Sequence, residues 1–142
     1  FMILQVPDCF YRVALKALIT DEQWRFLLAR EDNNMRELPG WWMDFWEIPQ
    51  DCLWREIKEE LWLKVLSIED QPSYFYPFLN TNRIHSDDDF YAVNIVYKVE
   101  LEDLNFTPSE ECVEIRFFTA EEVLMMDNIY TNVKEFAKVY KK

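Results

Sequence analysis

Apolar residues fall at every second position through Tyr91, Val93, Ile95, Tyr97, Val99 and Leu101, the alternation that a strand with one core-facing side requires. A second stretch has the helical period: Leu53, Ile57 and Leu61 recur every four residues between Pro49 and Leu63. Pro49 suits a first helical turn and Asp51 the positive helix start. Two largely apolar runs, 11–19 and 25–29, flank the polar interruption 20–24 and predict a hairpin. Residues 65–79 are aromatic and extended in character, and the polar stretch 80–89 reads as a loop. Residues 113–118 predict another strand. Thr119 with Glu122 three positions on makes a capping box that opens a short helix toward Met126, and a final helix over 130–140 closes the chain. No repeat, low-complexity tract or linker interrupts this order. Strands alternating with a few helices predict one domain over 1–142 of the α/β class, a mixed sheet packed between helices.

Composition narrows the partners. Half of the 142 residues are hydrophobic and 30% are charged, a globular balance, and no apolar run approaches the roughly 18 residues needed to span a bilayer. No membrane partner is expected. Residues 1–10 lack the basic start and long apolar stretch of an export signal. Cys9, Cys52 and Cys112 are odd in number and widely spaced, which argues against a disulfide framework or a zinc site and for a reducing cytoplasm. The net charge of −12 repels long nucleic acid, whose recognition needs clustered Lys and Arg. A small phosphorylated ligand remains compatible, because carboxylates hold divalent cations that bridge to phosphate.

The segment that carries chemistry runs from Leu38 to Leu63. On the predicted helix Glu56, Glu59 and Glu60 stand at i, i+3 and i+4, so their carboxylates share one face beside the apolar stripe. Crowded like charges cost a few tenths of a kcal/mol per pair when exposed, and more when partly buried. Hard, oxygen-seeking Mg²⁺ or Mn²⁺ would relieve them. A solvated acidic face is the blander reading of such a string by itself.

Context changes that balance. The segment resembles the signature of the Nudix hydrolase family, which reads glycine, five residues, glutamate, seven residues, then Arg-Glu, an aliphatic residue, any residue, Glu-Glu, any residue, glycine and an aliphatic residue. Glu47, Arg55, Glu56, Ile57, Glu59, Glu60 and Leu63 occupy seven of its fixed positions at the required spacing, and two glycine positions are held by Trp41 and Trp62. The resemblance implies an α/β/α sandwich and metal-dependent hydrolysis of a nucleoside diphosphate linked to another group. It further implies that Glu56, Glu59 and Glu60 bind the cations, one of them acting as base on the attacking water. Glu47 would pair with Arg55, the Gly40 carbonyl would supply a backbone ligand, and a later carboxylate would complete the set. Glu111 is the candidate for that last role, with Glu110 and Glu114 as competitors.

Other features are weaker. The run Asp87, Asp88 and Asp89 reads as a polar loop, and His85, the only histidine, as a surface residue. Tyr74, Tyr76 and Phe78 share one strand face, where rings stack on a nucleobase or, more plainly, fill a core. Nothing in the sequence selects the substrate, and a homodimer stays open. Two other readings stand beside the enzyme: an inactive Nudix fold used as a ligand-binding or protein-interaction module, and an unrelated acidic α/β interaction domain.

One anomaly cuts across all three. Gly occurs once and Trp six times, whereas average usage would give roughly ten glycines in a chain of this length. Trp24 falls at a hairpin turn, Trp41, Trp42 and Trp46 in the loop where the family typically carries glycines, and Trp62 just past a helix end. These are sites where Gly supplies positive φ or close backbone approach. Some bacterial lineages read UGA as glycine and another code reads it as tryptophan, so a gene of the first kind translated with the second table would show this substitution. On that expectation the native residues at 24, 41, 42, 46 and 62 are glycine, with position 54 undecided.

Overall fold

The computed structural model describes residues 11–81 and 88–142. In chain order it holds β1 (Arg12–Leu18), β2 (Phe26–Arg30), β3 (Arg36–Glu37), β4 (Gly40–Trp42), α1 (Pro49–Leu61), β5 (Val65–Ile68), β6 (Tyr74–Asn80), β7 (Phe90–Leu101), β8 (Glu114–Phe118), α2 (Ala120–Leu124) and α3 (Thr131–Val139). This is a mixed α/β fold. β1 and β7 run parallel, from Arg12↔Ala92 to Leu18↔Lys98. β4 adds antiparallel to the free edge of β1, and β5 and β6 add antiparallel to the other edge of β7. A smaller antiparallel sheet has the order β3-β2-β8.

The predicted hairpin survives only at its turn. Thr20 and Phe26 form an isolated bridge, and then β1 and β2 part into different sheets. Burial explains the split, because both strands are buried on both sides and each needs its own cover. Helix α1 lays Cys52, Leu53, Ile57 and Leu61 against Leu15, Ala17, Leu27, Ala29, Tyr97 and Val99. Burying Leu53, Ile57 and Leu61 stabilises by about 1.5–3 kcal/mol each. On the other side α3 lays Val133, Phe136 and Ala137 against Phe26, Leu28, Tyr76 and Phe78, with Phe136 meeting Phe26 edge-on. The Thr119 capping box is present, both of its hydrogen bonds formed. Pro49 stands at the start of α1, whose preceding residue, Ile48, offers no side-chain cap.

β7 departs from its sequence pattern. The alternation assigns Tyr91, Val93 and Ile95 to the core, yet in this half of the strand Ala92, Asn94 and Val96 are the fully buried residues. Strands on both edges and layers on both faces make β7 a central strand, and its polar Asn94 is enclosed with the rest. Two boundaries also differ. Asn80, read as loop, closes β6, and 41–42, read as loop, lie in β4 paired with Leu15 and Ala14. Among the described residues no helix is long and apolar enough to cross a membrane.

Candidate functional site

The site forms where the acidic face of α1 meets the end of β4. Gly40 has φ +135°, and a Cβ there would lie 2.0 Å from the Leu15 carbonyl oxygen. Only glycine fits that approach. It lets the Gly40 N–H reach the Glu60 Oε2 at 3.3 Å, joining the helix to the sheet edge.

Burial pushes the Glu60 carboxyl up to about 8, against the opposing pull of Lys16 and the Gly40 amide. Burial raises Glu56 as well, opposed by the neighbouring Arg55. Arg55 is the hub of this face. Its Nη1 donates to Glu56 Oε1 and its Nη2 to Glu47 Oε2, each at 2.8 Å, and Glu59 Oε2 lies 3.6 Å from Nη1. Glu47 also accepts from the Asp44 backbone N–H at 2.9 Å. That amide and Arg55 together hold its carboxyl below the ordinary range. Loop 43–48 is thereby clamped to the helix through charge-assisted bonds, which are roughly twice as strong as neutral ones.

A cavity of about 630 Å³ opens over this junction, lined by Glu56, Glu59, Glu60, Gly40, Lys16 and Glu111 among others. Glu110 lines it too. Glu114 does not: it pairs with Arg36 at 2.6 Å and Arg30 at 3.6 Å, which holds it below the usual carboxylate range. Among the described residues no three His, Cys, Asp or Glu side chains converge at ligand spacing; Glu56 and Glu59 both turn to Arg55 Nη1, while Glu60 accepts from the Gly40 amide. The donor set nevertheless suits a hard cation. It is all oxygen and lies in a cavity, and burial disfavours the charged forms of Glu56 and Glu60, so a cation beside them would relieve a real cost.

Several lining residues escaped the sequence reading, and two of them are polar side chains buried on the central strands. Lys16 is 5% exposed and its Nζ lies 3.6 Å from Glu37 Oε1 and 3.5 Å from the Leu38 carbonyl. A lone Lys inside the apolar run of β1 was the available signal. Asn94 is the other. Of the aromatic trio, Phe78 lines the cavity, Tyr74 packs on Phe136 and Tyr140, and Tyr76 donates from its hydroxyl to the Asn132 carbonyl at 3.0 Å. Asp88 and Asp89 are exposed, whereas His85 and Asp87 lie outside the described residues. Trp41 and Trp42 both line the cavity.

Comparison with known proteins gives the same direction. The model of the family described as NUDIX domain matches residues 10–141. No protein in the curated set matches the chain. Among solved structures the fold is similar to a MutT protein from Methanosarcina mazei Go1 (22% identity, TM-score 0.67), covering 90% of this chain and 91% of that one. It is also similar to a MutT NUDIX hydrolase from Burkholderia pseudomallei (16% identity, TM-score 0.70; 93% and 99% covered). A third similar fold is an ADP-ribose pyrophosphatase from Streptococcus suis 89-1591 (22% identity, TM-score 0.59; 91% and 86% covered).

Proposed function

The chain belongs to the NUDIX domain family, and we propose that it is a divalent-cation-dependent pyrophosphohydrolase acting on a nucleoside diphosphate linked to another group. The observation that carries this reading is the shared cavity of Glu56, Glu59, Glu60, Gly40 and Glu111. In the proposal the three helix glutamates, with the Gly40 carbonyl and Glu111, hold Mg²⁺ or Mn²⁺. A cation bound there supplies neutralising charge to the diphosphate and lowers the pKa of water. One of the three glutamates acts as base on the attacking water, its carboxylate kept ionised by the neighbouring cation. Water attacks phosphorus, its proton passes to the carboxylate, and the bridging oxygen leaves with the other phosphate. Arg55 and Glu47 hold the loop and position the acidic face. The test is hydrolysis of a diphosphate panel with and without Mg²⁺; no cation-dependent turnover on any member would overturn the reading.

The tryptophans decide whether that site is open, and we propose that Trp24, Trp41, Trp42, Trp46 and Trp62 stand where the native chain has glycine, with position 54 undecided. Four non-glycine residues among those described have positive φ: Trp24 at 62°, Asn34 at 68°, Trp46 at 76° and Trp62 at 57°. Two of these sit in matching turns. Asp21 and Arg25 close one loop and Glu31 and Met35 the other, with the Trp24 and Asn34 amides donating back to Asp21 and Glu31 in the same way. Asn tolerates the left-handed position; an indole-bearing residue does not, at a cost of about 1–2 kcal/mol. Trp46 is the third residue of a turn closed from Glu47 N–H to the Asp44 carbonyl, the position that a type II turn reserves for Gly. Trp62 caps α1 in the left-handed conformation, its N–H on the Lys58 carbonyl, where Gly is the common residue.

Burial points the same way. Trp24, Trp41, Trp46, Trp54 and Trp62 are exposed, Trp46 to 88%, and of the six only Trp42 packs against the core, so most of the largest apolar side chains in the chain lie outside it. Trp41 and Trp42 differ from the turn positions: they have ordinary strand backbone, and glycine there serves to clear the cavity rather than to permit a bend. The coding DNA tests this directly. UGA at these positions supports glycine, and UGG throughout overturns it. With genuine Trp41 and Trp42 in the cavity lining, the second reading, an inactive fold that binds a ligand or a protein, becomes the better one.

A further inference from the structure

Asn94 lies at the centre of β7, with Ala14 of β1 on one side in register and Tyr76 of β6 on the other. It is fully buried and lines the cavity that holds the glutamates. Its amide has one permitted orientation. The Tyr76 hydroxyl has a single proton, which goes to the Asn132 carbonyl at 3.0 Å, so the Tyr76 oxygen must accept from Asn94, and only Nδ2 can donate, at 2.8 Å. The Oδ1 is therefore fixed on the other side of the amide, where it has no partner among the described residues. A buried acceptor left unpaired costs about 1–3 kcal/mol, and folded proteins keep few of them. A leucine would fill the same volume between Ala92 and Val96 without that cost.

Register places this acceptor relative to the acidic face. Gly40, the partner of Glu60, pairs with Lys16; Asn94 is two strands across and two residues along. At about 4.8 Å per strand and 3.3 Å per residue the separation is on the order of 12 Å between backbones. That is beyond a diphosphate held at the glutamates and within reach of the group attached to it. Phe78 adds a flat apolar wall to the cavity.

We infer that Asn94 is a specificity-determining residue, whose Oδ1 accepts a hydrogen bond from an N–H on a planar ring carried by the substrate. The inference rests on the hydrolase reading and names the part of the substrate that the glutamates do not touch. It requires that a ligand lacking the ring gain nothing from Asn94.

The experiment compares the native chain with Asn94→Leu, each shown to be folded by thermal melting, on two probes: GTP, whose base carries a ring N–H, and tripolyphosphate, which has no base. The expected result is a KM for GTP raised about tenfold in Asn94→Leu with a smaller change in kcat, and unchanged constants for tripolyphosphate. An unchanged KM for GTP, or an equal loss on both probes, overturns the inference. If neither probe is hydrolysed by the native chain, both lie outside its substrate range, and the hydrolase reading is judged on the full diphosphate panel. The assignment is then read by calorimetric binding of a methylene-bridged GTP analogue: weaker binding by Asn94→Leu supports it, and no binding by the native chain, or equal binding by both, overturns it.

Discussion

The acidic face of α1 and the bends around it obey different rules. On the helix every candidate position is a side chain, and Glu56, Glu59 and Glu60 need only the 3.6-residue repeat to share a face. In the bends the functional property is the backbone itself. Trp24, Trp46 and Trp62 adopt left-handed φ despite their side chains, which shows that the surrounding hydrogen bonds, and not the residue, dictate the turn. A helix face keeps its geometry under many substitutions; a left-handed bend keeps its geometry too, but the wrong residue lowers stability.

Breaking the acidic side gives the largest effect. Glu60→Gln is expected to lower Mg²⁺-dependent kcat/KM by about 10²–10⁴-fold, with helical content by circular dichroism unchanged. Retained turnover would remove Glu60 from the mechanism. Next comes the backbone side. Changing Trp24, Trp46 and Trp62 together to glycine should stabilise by about 1 kcal/mol per site, the left-handed strain relieved less the entropy glycine adds, which denaturant melts would register as a higher midpoint. Trp54 lies inside α1, where glycine costs about 1 kcal/mol, so Trp54→Gly should destabilise. Gains at the three bends with a loss at 54 would confirm that position, not residue type alone, sets the sign.

The link between the two regions is Arg55. Arg55→Ala should release Glu47 and loop 43–48, with kcat/KM falling by about 10-fold to 100-fold and Arg55→Lys recovering part of it; full activity in the alanine variant would deny the clamp a role. The remaining effect is in pH. Glu60 titrates at about 8 in the fold against an ordinary 4.5, so its contribution to stability is complete below 4.5 and is lost as pH rises toward 8. Glu47, held low, acts in the opposite sense and loses its contribution in acid. The cation-free melting temperature should therefore decline from pH 5 to pH 8, more weakly in Glu60→Gln, and Mg²⁺ should offset the decline. A decline of equal size in both proteins would assign it elsewhere.

Much of this was legible from the chain. The repeat of Leu53, Ile57 and Leu61 gave α1 nearly to its ends, and the spacing from Glu47 to Leu63 carried the family. The alternation in β7 gave a strand but the wrong face for its first half, because period-2 reading assumes one buried side and cannot count the layers that will cover the other. The hairpin failed for a related reason: a turn is local, while the sheet that each arm joins depends on partners more than sixty residues away, at β7 and β8.

The sequence by itself determined which residues can share a helix face and which turns need a left-handed residue, since both follow from backbone geometry over a few positions. Only the tertiary structure decided what those residues meet. Gly40 reaches Glu60 because β4 pairs with β1, Glu114 is withdrawn into an ion pair by Arg36, and Asn94 is buried because strands close on both its edges. Burial and pairing between distant segments exist only once the chain has folded, and they set the charge and hydrogen-bonding state of each group in the cavity.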